Sequence, residues 1–340
     1  MTADCRPSPW RRHGRLLCLG AGLVLLGAMV WAAGPRQLWL NLLGLRWWLA
    51  ATVAVWGVGY VLNAASWALI VGTYPLRRPL SAWRLLRLTV TGFAINYVTP
   101  FGLLGGEPYR VVALRRHLGL EAATGSVVLY LMMHVTSHLV FWIGSCLLAA
   151  LVLDGLSGPV AWCLWLASAA CLAGLWLFLR GYRRGAVRGA VRLAGRCPWL
   201  GRRVGEWGRR HAAQLERIDG GIAALLGRHP ARFAGSLALE VASRTVNCAE
   251  VWLLMAALGT PVGYGDAVLV VALSSLLANL LFFAPLQMGT REGGILLALQ
   301  LVLPGVALGT LMPLAVTVSL ATRIREFVWI AVGLGSLGKK

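Results

Sequence analysis

The sequence predicts an all-α polytopic membrane protein, and three observations lead there. Of the 340 residues 58% are hydrophobic and 13% charged, with a mean hydropathy of +0.71; a soluble chain of this length is far less apolar. The apolar runs are broken by Pro, Gly and Arg clusters and do not alternate at period two, which is the pattern of helices and not of a membrane barrel. All of the 32 basic residues except Lys339 and Lys340 are Arg, and most flank apolar runs, as expected of cytoplasmic loops beside anionic lipid. That placement explains the net charge of +20 without nucleic acid as a partner.

Arg6, Arg11, Arg12 and Arg15 precede an apolar run from Leu16 to Ala33. The run is long for a cleavable twin-arginine signal, so an uncleaved first helix with a cytoplasmic N-terminus is expected. Arg36 and Arg46, set among Trp and Leu, read as an outer interfacial turn, and Trp47 to Val71 as the second span. Arg77, Arg78, Arg84 and Arg87 then return the chain to the cytoplasmic side.

From Leu88 the chain is apolar for barely a dozen residues before Pro100, and Arg115-Arg116-His117 follows soon after Glu107. A full crossing needs about 20 apolar residues. With both basic clusters cytoplasmic, the stretch between them enters and leaves by one face, as a re-entrant hairpin broken near Pro100, Gly102, Gly105 and Gly106. Ala122 to Leu153 and Val160 to Leu179 are the next two spans, joined by an outer turn at 154–158.

The loop from Arg180 to Arg232 holds 13 arginines. Arg180, Arg184, Arg188, Arg192 and Arg196 recur every four residues, and Val204, Trp207, Leu215, Ile218, Ile222 and Leu225 form an apolar stripe, so amphipathic helices lying at the inner surface are predicted. Phe233 to Leu258 crosses outward to a turn at Thr260 to Asp266. Ala267 to Phe283, a polar break at Pro285 to Gly294 carrying Gly289, and a short run to Leu303 form a second hairpin, opening outward. A last span, about Gly309 to Leu334, places the C-terminus inside.

These readings amount to about six full transmembrane helices and two re-entrant hairpins arranged as an inverted repeat, with eight ordinary spans as the alternative. One integral membrane domain covers 1–340: a first half at 1–180, a basic amphipathic cytoplasmic linker at 181–232 and a second half at 233–340. Inverted repeats with interrupted helices suit movement of a polar solute or headgroup across a bilayer.

Charged side chains within spans are costly and mark internal polar sites. Glu107 and Glu292 lie at the two breaks, where unpaired helix ends also bind ligands, and are expected to face one cavity. Arg110 and Arg291 beside them have the fork that grips phosphate oxygens, and Asn96 and Gln287 offer neutral hydrogen bonds. Glu240 with Arg244, and Arg323 with Glu326, have the spacing of same-helix ion pairs, which serve either packing or substrate; Arg325 and Glu250 complete the set. His134 and His138 share a helix face at the spacing of two zinc ligands, but the general-base glutamate of a zinc protease is missing, so a polar face is expected rather than a metal. The seven cysteines form no Cys-x-x-Cys pair and no thiolate metal set. No phosphate loop, nucleophile elbow or cofactor motif occurs in the sequence.

At Asn96, Pro100, Glu107 and Arg110, and again at Pro285, Gly289 and Glu292, the chain resembles the lysylphosphatidylglycerol synthase transmembrane-region family, also called flippase-like domain proteins. The resemblance implies a lipid-translocating domain. In the namesake proteins it is fused to a soluble synthase, which this sequence does not show, so synthase activity is not expected here. Many relatives have Glu-Arg and Asp where this chain has His134 and His138. The expectation is a multi-pass cytoplasmic-membrane protein moving an anionic or polyprenyl-phosphate-linked lipid, without enzymatic activity. An intramembrane lipid-modifying enzyme or accessory subunit is the alternative. Expected partners are the substrate lipid and anionic inner-leaflet lipids at the linker, with self-association left open.

Overall fold

Turn chemistry and capping divide the chain into helices close to where hydropathy does. The computed structural model describes residues 24, 27–99, 105–152, 158–195, 201–280 and 289–337, and no strand occurs among them. A helical stretch at 27–33 (α1) leads into α2 (Pro35–Val71). The expected outer turn at Arg36–Arg46 is instead the first part of α2, because Pro35 suits a helix start and little after it breaks one. A kink at Arg46 (φ 20°, ψ −100°) separates it from the predicted span at Trp47. Arg46 is the one non-glycine residue with positive φ among those described.

α3 (Ala82–Val98) starts where Ser81 Oγ accepts a hydrogen bond from the Arg84 amide at 3.2 Å, and it stops just before Pro100, as a pre-proline position favours. After the break comes α4 (Gly106–Leu118), closed by Gly119 at φ 82°, a conformation glycine adopts without strain. α5 (Leu120–Val152) follows directly, and α6 (Pro159–Arg184) opens on Pro159 and ends at left-handed Gly185. The loop predicted to be amphipathic contains α7 (Ala186–Ala194), α8 (Gly201–Arg210) and α9 (Ala212–Arg228). α10 (Pro230–Asn247) and α11 (Ala249–Ala257) are separated by Cys248 alone, which keeps helical dihedrals. α12 (Tyr264–Leu280), α13 (Thr290–Val302) and α14 (Leu308–Gly335) complete the chain. By length and composition α2 and α5 are each able to cross a bilayer, and shorter apolar helices cover Ala161–Leu177 and Tyr264–Leu280.

Two compact units share these helices. The first takes Met1–Ala54, Ser145–Ser157 and Cys248–Arg325; the second takes Val55–Gly144, Gly158–Asn247 and Glu326–Lys340. In the first, Leu45, Leu254, Met255, Leu299 and Leu311 are sealed in the core. In the second, Trp67, Ile70, Leu114, Leu129 and Ile222 play that part. Leu215, Ile218 and Ile222 of α9 are buried, and the last two belong to this protein core beside Leu114, Leu118 and Phe233. This part of the apolar stripe is therefore covered by protein rather than lying on lipid. Trp207 of α8 and Leu193 of α7 stay exposed.

Candidate functional site

Both units contain a helix, a break and a second helix running back alongside the first. In the second unit the helices have 17 and 13 residues (α3, α4), and in the first unit again 17 and 13 (α12, α13). At 1.5 Å per residue these are about 26 and 20 Å long, short of a bilayer's hydrocarbon thickness of about 30 Å. The α3–α4 pair returns to its start: the Arg77 amide donates to the His117 carbonyl at 2.8 Å, and His117 Nδ1 donates to the Arg78 carbonyl at 3.3 Å. Glycine allows the close approach, since a Cβ on Gly106 would run into the Gly92 carbonyl and one on Gly92 into the Arg110 guanidinium.

Asn96 bridges the break, its Oδ1 accepting from the Gly106 amide at 2.7 Å and its Nδ2 donating to Glu107 Oε1 at 3.4 Å. Arg110 Nη1 donates to the same Glu107 oxygen at 2.7 Å, and its other nitrogens reach the Thr89 and Leu88 carbonyls. The guanidinium also lies over the rings of Trp67 and Tyr130, at 5.6 and 5.3 Å, where cation–π attraction adds about 1–2 kcal/mol when water is excluded. Buried and engaged on every side, Arg110 holds Glu107 in place. Glu107 Oε2 is buried and meets no hydrogen-bond partner among the described residues.

Tyr130 leads from this group to a second one on α5 and α10. Its ring centroid is 6.3 Å from that of His134, whose Nδ1 is 2.8 Å from Oε2 of fully buried Glu240. One turn on, Arg244 donates to Ser137 Oγ, His138 Nε2 and the His134 carbonyl, at 2.7, 2.7 and 3.0 Å. Glu240 and Arg244, expected as a same-helix pair, thus both reach across to α5. Small residues hold α10 against α2, through Ser66 with Ser236 and Ser243 with the Gly59 carbonyl. Also in this unit, the Tyr97 hydroxyl bonds Glu326.

In the first unit, where Gly289 (φ 77°) has no side chain to complete a capping box, Glu292 makes its half, Oε2 accepting from the Gly289 amide at 2.7 Å. Its other oxygen accepts from Ser319 Oγ at 2.7 Å and Arg323 Nη2 at 3.0 Å. Arg291 Nη1 approaches Thr322 Oγ1 at 3.4 Å. Arg325 forks onto both oxygens of Glu250 at 2.9 and 2.8 Å, and both side chains are buried.

The structure therefore brings together Asn96, Glu107 and Arg110; Glu240 and Arg244 with both histidines; Glu292 with Arg323; and Arg325 with Glu250. Gly105 precedes α4 as its N-cap. Pro100, Gly102, Pro285 and Gln287 lie outside the described residues. Sequence reasoning missed Trp67, Tyr130 and Ser137, which carry no signal beyond their place in apolar helices. No group of three His, Cys, Asp or Glu among the described residues is placed to hold a metal.

No curated protein and no solved structure matches the chain. The family described as lysylphosphatidylglycerol synthase TM region matches residues 17–332. With nearly its whole length matched and an all-helical fold, the chain belongs to that family and is a membrane protein.

Proposed function

We propose that this protein moves a lipid with an anionic or polyprenyl-phosphate-linked headgroup from one leaflet to the other without changing it chemically. The observation that carries the reading is the paired hairpin. In each unit a helix too short to cross stops at a break, and a glutamate sits in the first turn of the helix that follows. Broken helices with polar groups at their ends are how membrane proteins hold a polar solute at depth.

Glu107 is the residue assigned to the substrate, since one of its oxygens is buried without a partner among the described residues. An acceptor of that kind suits a hydroxyl or ammonium on the headgroup. In the first unit Arg291, next to Glu292 in sequence, and Arg323, 3.0 Å from Glu292 Oε1, are basic side chains of the kind that bind phosphate. In this reading Arg110 positions Glu107, while Arg325 with Glu250 and Arg244 with α5 brace the helices. The protein lies in the cytoplasmic membrane with both ends and residues 180–232 inside, as the arginine distribution favours.

The test is reconstitution into vesicles carrying fluorescent phosphatidylglycerol, phosphatidylcholine or a polyprenyl phosphate, with an impermeant reductant added outside. The expected result is faster loss of inner-leaflet fluorescence for an anionic lipid than in protein-free vesicles. Equal rates across the panel would overturn the reading.

A further inference from the structure

The two histidines of α5 are one turn apart, yet their hydrogen bonds set them in opposite states. His138 Nδ1 is 3.2 Å from the His134 carbonyl, which only accepts, so Nδ1 carries the proton. Its Nε2 is 2.7 Å from Arg244 Nη1, which only donates, so Nε2 supplies the lone pair. His138 is therefore wired as the neutral tautomer, and a second proton would have to displace the guanidinium.

His134 is different. Its Nδ1 faces Glu240 Oε2 at 2.8 Å, no described residue engages its Nε2, and its side chain is 38% exposed. Glu240 is completely buried, and its Oε1 has no hydrogen-bond partner among the described residues. A carboxylate with one oxygen on an imidazole N–H fixes the ring orientation and its tautomer. The charged and titratable groups around His134 are Glu240 and Arg244 from α10 and His138 and Tyr130 from its own helix. Beyond Tyr130 lie Arg110 and Glu107.

We propose that His134 and Glu240 form a reversible proton-binding site, with His134 Nε2 as the atom that takes up and releases the proton, and that lipid movement is linked to it. Uptake converts imidazole and carboxylate into an imidazolium–carboxylate pair; release at the same atom restores the starting state. The pair is a poor metal site, because Nε2 of its neighbour already accepts from Arg244. The linkage rests on the lipid-moving reading above, whereas the proton site stands by itself.

Nitrogen-15 NMR of histidine-labelled protein in lipid nanodiscs tests the site directly. Between about pH 5 and 8, where imidazoles titrate, one histidine is expected to change from protonated at Nδ1 only to protonated at both nitrogens. Its signals should vanish in His134→Gln. A second, removed by His138→Gln, should keep Nε2 unprotonated throughout. Glu240→Gln keeps a hydrogen-bonding group but removes the charge, and should alter that titration. A His134 that does not titrate, or whose titration Glu240→Gln leaves in place, would overturn the site.

In vesicles, the rate for fluorescent phosphatidylglycerol is expected to change at least threefold across the same range, and to be flat in His134→Gln. Identical pH profiles in both proteins would remove the linkage. If the parent moves no lipid at any pH, the function proposed above fails, and with it the linkage; the NMR result still decides the site.

Discussion

Arg110 shows how far a single side chain can be read in advance. A guanidinium three residues after Glu107 in an apolar stretch is conspicuous in sequence, and a phosphate contact is the natural expectation. The structure places it beside the stacked rings of Trp67 and Tyr130, with every nitrogen engaged inside the protein. The charge was legible because charges stand out in apolar helices; the aromatic pair beside it was not, because Trp and Tyr in such helices look like ordinary core. Removing it strands Glu107, so Arg110→Ala should cost about 3–5 kcal/mol of stability. Lys should restore little of this, since it lacks the planar fork; unfolding in detergent measures both. A separate effect concerns Tyr74, beyond the end of α2, whose phenol is pushed up to about 12 by burial. The neutral form is the one that fits, so its stabilisation is complete below the ordinary value of about 10 and is lost as pH rises from there through 12. Tyr74→Phe should lessen the fall in thermal stability over that window.

At the scale of elements, the two short helix pairs were foreseen because each apolar run ends early at Pro, Gly and charged residues, and α3 with α4 and α12 with α13 are indeed helices of 17 and 13 residues. What held each hairpin together was less visible. Gly106 reads as a helix breaker, but its neighbours show that closeness to Gly92 is what demands it. The closest obstacle to Gly106→Ala is the Gly92 backbone, which cannot swing aside as a side chain can, so the change should destabilise by about 1–3 kcal/mol. Gly293→Ala in α13 meets nothing within 4 Å, so it should be neutral or gain up to about 1 kcal/mol from helix propensity. Thermal unfolding of the two variants side by side checks the contrast. The helices at 186–228 carry the opposite lesson. Periodicity revealed an apolar face but not what covers it, and for Ile218 and Ile222 the cover is protein.

For the molecule as a whole, composition and arginine placement pointed to the membrane, and the family match agrees. The basic helices that remain exposed should still meet anionic lipid, each arginine adding about 1 kcal/mol near the surface. An environment-sensitive dye on Leu193→Cys, in a background freed of other cysteines, should shift to the blue in phosphatidylglycerol vesicles and less so in neutral ones. The shift should shrink with salt and with Arg192→Gln, Arg209→Gln and Arg210→Gln combined. The central claim is lipid movement that depends on the broken hairpin. It is tested most directly by comparing parent and Glu107→Gln proteins, inserted to equal extent in vesicles with fluorescent phosphatidylglycerol. The account predicts reductant access to the inner leaflet with the parent and at least tenfold slower access with Glu107→Gln. Equal rates in the two proteins would contradict it.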